Sequence, residues 1–137
     1  MSRNEDAMFH LNWAKQAEKR GDFLAARMEH LKCVESWKQS DDITELEKAT
    51  REYEDFVRRD PVFEKLLAIL LPIIDSNPGI LQSEIAKQAE SVDWATLYDY
   101  NRPIAREDVY YALYFAEKFN RITRTKMGRS YELRIVN

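Results

Sequence analysis

At 137 residues and 45% apolar, the chain has the size of one domain or two small modules and enough material for a buried core. Three Gly and four Pro exclude a low-complexity composition, and the single Cys33 excludes an internal disulfide framework and fits a reducing compartment. The net charge of −3 hides a segregation: residues 1–60 carry 11 basic and 14 acidic side chains, residues 61–117 carry 4 and 9, and residues 118–137 carry 6 and 1. An anionic partner is therefore expected at the C-terminal end.

The N-terminal MSRNEDAMFH is polar and charged, without a signal-peptide core. The longest apolar run, Leu66 to Ile74, is far short of the roughly 20 residues that cross a bilayer. A soluble, cytoplasmic protein without a membrane partner is expected.

Residues 5–20 are expected to be helical, with Phe9, Trp13, Ala17, Met8 and Ala14 supplying the buried face. Gly21-Asp22 ends that pattern, Gly as a helix C-terminus and Asp as the next N-cap. A second helix over about 23–39 has Phe23, Ala26, His30 or Leu31, Val34 and Trp37 on its apolar face. So short a link implies an antiparallel helical hairpin. Asp41-Asp42 starts a third helix, Asp42 and Glu45 standing at capping-box spacing, with Ile43, Leu46, Ala49, Tyr53, Phe56 and Val57 as its stripe.

Asp60-Pro61 punctuates before a fourth helix, about 61–75, that is apolar nearly all round and is expected to be the central core helix touching both halves. Pro72 is expected to kink it or end its regular part. Ser76-Asn77-Pro78-Gly79 reads as a turn. In the short helix that follows, Ile80, Leu81, Ile85, Ala86 and Ala89 are expected inside and Gln82, Ser83, Lys87 and Gln88 outside. A long connection over residues 90–104 has room for a helical turn around Trp94 to Tyr98. A helix over about 106–119 buries Val109, Ala112, Leu113 and Ala116, with Glu107 and Asp108 in its first turn. At its outward positions stand Tyr110, Tyr111, Tyr114 and Phe115, whose rings pack under the 90–104 connection or against the N-terminal helices, form a patch for a protein partner, or stack on single-stranded bases. Asn120 breaks it. Ile122 starts a strand, Met127-Gly128-Arg129 turns, and Tyr131, Leu133 and Ile135 alternate inward.

Two resemblances attach to these residues. WAKQAEKRGDFLAARMEHLKCV, residues 13–34, resembles a tetratricopeptide-type helical hairpin through its Gly-Asp-aromatic turn and Ala26. NPGILQSEIAKQA, residues 77–89, is similar to the second-helix start of winged helix-turn-helix regulators, and residues 61–136 follow that family's order of helix, short helix, helix and hairpin. The 90–104 connection is longer than the roughly 3–4 residues usual between such helices. The resemblances imply a mainly α fold: an N-terminal helical hairpin plus third helix (residues 1–60), packed on a C-terminal winged-helix module with a small β-hairpin (residues 61–137).

The winged-helix resemblance further implies DNA binding of a transcription-regulator kind. A basic wing of Arg121, Arg124, Lys126 and Arg129 would meet phosphates of double-stranded DNA, with Gln82, Ser83 and Lys87 as additional backbone contacts; the plainer reading of the same charges is an edge hairpin that positive charge protects from aggregation. Against base reading, the helix that would enter a groove offers tyrosines and acids rather than Arg, Asn or Gln. Helical-repeat plus winged-helix combinations also resemble assembly modules such as the PCI type. The alternative is therefore an interaction adaptor that uses Tyr110, Tyr111 and Tyr114 to hold a protein partner or to self-associate.

Catalytic constellations are not visible: there is no Gly-rich phosphate loop, no His-Glu-x-x-His, and no Cys-His pair with an orienting group. No enzyme and no cofactor are expected. His10, His30 and Cys33 would come near one another if the hairpin turns at Gly21-Asp22, but lack a fixed fourth ligand, so they read as packing residues rather than a metal site.

Overall fold

The structure, a computed structural model, describes residues 3–91 and 104–136. The protein is mainly helical, with a small antiparallel sheet at its C-terminal end. In chain order the described elements are α1 (Arg3–Lys19), α2 (Phe23–Lys38), α3 (Ile43–Arg59), α4 (Pro61–Ser76), β1 (Ile80–Leu81), α5 (Gln82–Ala89), α6 (Arg106–Lys118), β2 (Ile122–Met127) and β3 (Ser130–Ile135). They divide into two compact units, Met1–Pro61 and Val62–Asn137. Among the described residues, no helix is long and apolar enough to cross a membrane. The helical turn expected around Trp94 to Tyr98 lies outside the described residues.

In the first unit the α1–α2 turn is fixed by two residues. Gly21 takes φ +78, a left-handed position that costs Gly nothing, and the last carbonyls of α1 are satisfied by Gly21 N–H on Glu18 (3.0 Å) and Asp22 N–H on Ala17 (2.9 Å). Asp22 then caps α2, its Oδ1 accepting from Ala25 N–H at 3.1 Å. Asp22→Ala is expected to cost about 1 kcal/mol of stability, read from the urea midpoint; an unchanged midpoint would mean that the cap is dispensable.

The buried face of α1 agrees with the expected one at Ala14 and Ala17 but not at Met8, Phe9 and Trp13, and Met8 is 67% exposed. Ala7, Ala14 and Ala17 are buried with Leu11 partly so, while Phe9 and Trp13 remain 44% and 47% exposed. Small side chains let α1 come close to α2, whose Ala26 is also fully buried. The large rings are left on the outer face, where they pair with each other at 5.9 Å. On α2 the inward choice falls on His30, along with Ala26, Arg27, Cys33, Val34 and Trp37. Cys33 and Trp37 join Ala7, Val34 and Ala49 in one cluster, against which Leu11, Leu46 and Tyr53 pack. On α3, Ala49, Phe56 and Val57 are buried, but Ile43 in the first turn is exposed, since the start of the helix lies beyond this core. Asp42 caps α3 through Glu45 N–H at 3.1 Å. Arg59 at the end of α3 reaches Glu18 of α1 with two hydrogen bonds of 2.7 and 2.9 Å, which hold the Glu18 carboxyl below its usual range.

In the second unit α4 buries Val62, Phe63, Leu66, Leu67, Leu70 and Ile74. Pro72 does not end the helix, which continues to Ser76; its ring is on the exposed side, away from the packed stripe. Asn77 closes the helix, its Nδ2 donating to Ile73 O at 2.9 Å. From α6, Phe115, Leu113, Val109, Ala112 and Ala116 are buried. Phe63 joins α4 to α6 through edge-on ring contacts with Tyr111 (6.2 Å) and Phe119 (5.8 Å). α6 ends with Asn120 at φ 58, where Arg121 N–H returns to Ala116 O at 2.8 Å.

The sheet order is β1-β3-β2, antiparallel throughout. β1 adds a third strand where a two-stranded hairpin was expected, pairing Ile80 with Leu133 and Leu81 with Glu132. Leu81, expected inside, is exposed. Strand alternation explains this, because Ile80 and Leu81 must point to opposite faces. The β2–β3 hairpin turns on two residues, with Gly128 at φ +62 in the first position that a II′ turn reserves for Gly.

Candidate functional site

The site is set by the two-residue period of β2. Ile122, Arg124 and Lys126 share one face, opposite Ile135, Leu133 and Tyr131 of β3. At the base of the hairpin this face is core: Ile122 and Leu133 are buried. Arg124 is the next residue outward, and Lys126 the one after it, at the tip.

Arg124 is therefore drawn inward, its side chain 13% exposed. Its Nε donates to Glu117 of α6 at 3.1 Å and its Nη1 to Gln82 of α5 at 3.2 Å. The guanidinium lies over the Tyr131 ring at 4.6 Å and the Tyr114 ring at 5.8 Å. Arg121, just before the strand, forms an exposed ion pair with Glu64 of α4 at 3.3 Å. Such a pair contributes about 0–1 kcal/mol, so Arg121 can exchange partners freely. Lys126 and Arg129 are exposed at the tip and form no ion pair among the described residues.

The expected polar contacts also separate. Gln82 is half-buried and engaged by Arg124. Ser83 is exposed, and its N–H, one of the unsatisfied donors that open α5, donates to Ser130 Oγ across the hairpin at 3.3 Å. Lys87 stands one turn further along the exposed side of α5, on the face of Ser83. The structure thus gathers Gln82, Ser83, Arg124 and Ser130 where α5 meets the hairpin, with Lys126 and Arg129 beyond them.

The tyrosines of α6 do not form one outward surface. Tyr111, at an outward position of the helical stripe, is buried against Phe63 and Phe115, which itself lies inside. Tyr110 is half-buried, and Tyr114 is 45% exposed. Asp108 is also buried, where it accepts the N–H of Ala105 at 2.8 Å and so closes the start of α6. These residues turn inward because α6 is enclosed on more than one side: its buried set spans Asp108, Val109, Tyr111, Ala112, Leu113, Phe115 and Ala116, wider than one stripe.

Sequence reasoning missed Glu117, Ser130 and the second role of Tyr131. A signal for the first was present: an Arg two residues after a core Ile in a strand stands on the core-facing side, and an inward Arg needs an acidic partner.

In the first unit, His10 is bonded to Glu29, and His30 lies between Tyr53 and Phe56. Burial pushes the Cys33 thiol up to about 11, which keeps it protonated and unreactive at neutral pH. Among the described residues, no group of three His, Cys, Asp or Glu side chains is placed to hold a metal ion. No family model, curated protein or solved structure matches the chain.

Proposed function

We propose that the chain is a non-enzymatic, winged-helix-like protein of the transcription-regulator kind that binds double-stranded DNA through the tip of its C-terminal hairpin. Lys126 and Arg129 meet phosphates, with Ser83 and Lys87 on α5, and Arg121 at the base of the hairpin, as secondary backbone contacts. The observation that carries this reading is the exposure of Lys126 and Arg129, without ion pairs among the described residues, in a segment rich in positive charge. The order α4, α5, α6 and hairpin supports it as a likeness of architecture, which by itself does not fix function. The exposed side of α6 presents Arg106, Glu107, Tyr114 and Lys118. That mixture favours contact with the DNA backbone over reading of base edges.

The test is binding of a fluorescent duplex across a series of salt concentrations. Each phosphate neutralised by a basic side chain adds about 0.9 to the log–log salt slope and strengthens binding about tenfold near 0.1 M salt. Lys126→Ala/Arg129→Ala is therefore expected to lower the slope by about 1.8 and to weaken binding about a hundredfold, equally for unrelated sequences. Wild-type binding that ignores salt, or a double variant that binds like wild type, would overturn the proposal.

A second reading, an interaction adaptor in a cytoplasmic assembly, is favoured by the exposed Phe9–Trp13 ring pair and by Tyr114. It predicts an oligomer or partner complex in sedimentation that Trp13→Ala or Tyr114→Ala weakens. A monomer with no partner-dependent change would count against it.

A further inference from the structure

We infer that Arg124 is a positioning residue, which clamps the hairpin to α5 and α6 so that Lys126 and Arg129 are presented to an anionic backbone, and is not itself a phosphate contact. The consequence for binding rests on the DNA-binding reading, whereas the clamp itself stands on geometry alone. The guanidinium is surrounded by groups from three other elements: Gln82 Oε1 on α5, Glu117 Oε1 on α6, the Tyr114 ring on α6 and the Tyr131 ring on β3. Its fork makes two charge-assisted hydrogen bonds in different directions, one of them to a carboxylate, while its flat face covers a ring. A Lys cannot reproduce that geometry.

A phosphate contact would need this head group free, and the structure leaves it 13% exposed and already neutralised by Glu117. Lys126 lies on the same face of β2, two residues nearer the tip, so the direction in which it points follows from how Arg124 is held. A second tie lies beside the first: Ser83 N–H on Ser130 Oγ. The base of the hairpin is packed through Ile122 and Leu133, whereas nearer the tip these polar ties, added to the β2–β3 ladder, join it to α5 and α6.

The experiment compares full-length wild type, Arg124→Ala and Glu117→Ala, each with and without Lys126→Ala. Two quantities are read: amide hydrogen exchange along β2 and β3, and affinity for a labelled duplex. Both clamp variants are expected to speed exchange of the outer hairpin amides by about tenfold, the scale of one charge-assisted hydrogen bond. Both are expected to weaken duplex binding, and Lys126→Ala should then cost much less than it does in wild type. Glu117→Ala decides the matter, because it removes a negative charge. If charge alone governed, it would tighten binding; a positioning role requires it to weaken binding.

The inference is overturned if Glu117→Ala binds as well as or better than wild type; an Arg124→Ala salt slope lower by about 0.9 would then make Arg124 a phosphate ligand. It is also overturned if hairpin exchange is the same in all three proteins. If wild type binds no duplex but both variants speed exchange, the clamp stands and the DNA reading fails. Glu117 is partly exposed, so its variant keeps the test informative even if Arg124→Ala unfolds.

Discussion

Phe63→Ala is expected to destabilise the second unit by about 3–5 kcal/mol, the usual range for truncating a buried aromatic ring to a methyl group. Phe63 is buried, and its ring meets Tyr111 and Phe119 edge-on, at interplanar angles of 77° and 87°. Removing it takes away the apolar transfer term, leaves a cavity between α4 and α6, and breaks both ring pairs, each worth about 0.5–1.5 kcal/mol beyond area. A domain of this size has a net stability of roughly 5–10 kcal/mol, so the variant would be marginal at best. Phe63→Leu should recover part of the loss, because it refills volume without restoring the edge-on geometry. Urea unfolding followed by far-UV circular dichroism, with amide exchange at Leu113 and Leu133, measures the effect. A loss below about 1 kcal/mol would mean that these rings do not carry the packing of α4 on α6.

The first unit is expected to lose up to about 3 kcal/mol of stability between pH 6.5 and pH 4 because of His30 alone. Its ring is buried, stacked parallel on Tyr53 at 5.9 Å and close to Phe56 at 4.9 Å, and its Nε2 has no hydrogen-bond partner among the described residues. Burial pushes its pKa down to about 4; the Glu18 charge opposes that shift, while Arg59 and Lys15 add to it. Above pH 6.5 the imidazole is neutral in both folded and unfolded chains, and the stability is fully present. As pH falls, the unfolded chain takes up a proton near 6.5 that the folded chain refuses until about 4, so the folded state is progressively disfavoured across that window. His30→Leu removes this titration and should flatten the pH dependence over the window, leaving the contribution of the carboxylates common to both proteins. Unfolding followed by the fluorescence of buried Trp37, in a Trp13→Phe/Trp94→Phe background for both proteins, reads the first unit. Identical pH profiles for wild type and variant would show that His30 is solvated in the folded protein.

The sequence was most informative where a residue's local chemistry leaves few choices. Gly21, Asp22, Asp42, Pro61 and Asn120 mark helix ends by backbone conformation or capping, and each stands at a helix boundary in the structure. The faces of helices were less legible. On α1, an apolar-weighted reading put Phe9, Trp13 and Met8 inside beside Ala14 and Ala17, but close approach of two helices favours Ala, and of these five only the alanines are buried. On α6, an encircled helix shows no polar face at Tyr111, Phe115 or Asp108, and nothing in the local pattern tells an enclosed Tyr from an exposed one. β1 has two residues, too few for any alternation to register. The positive hairpin was plain in the sequence as a charge total. How that charge is divided depended on position along the hairpin: Arg124 and Lys126 share one face of β2, but Arg124 lies against α5 and α6 whereas Lys126 and Arg129 stand at the tip.

The most direct measurement is a titration of the isotopically labelled full chain with a short duplex, followed by amide chemical shifts at low salt. Binding through the hairpin tip gives shifts concentrated at Lys126, Gly128, Arg129 and Ser130, with smaller ones at Ser83 and Lys87, all reversed by added salt. Shifts centred on Phe9 and Trp13, or no shifts at any duplex concentration, would contradict it.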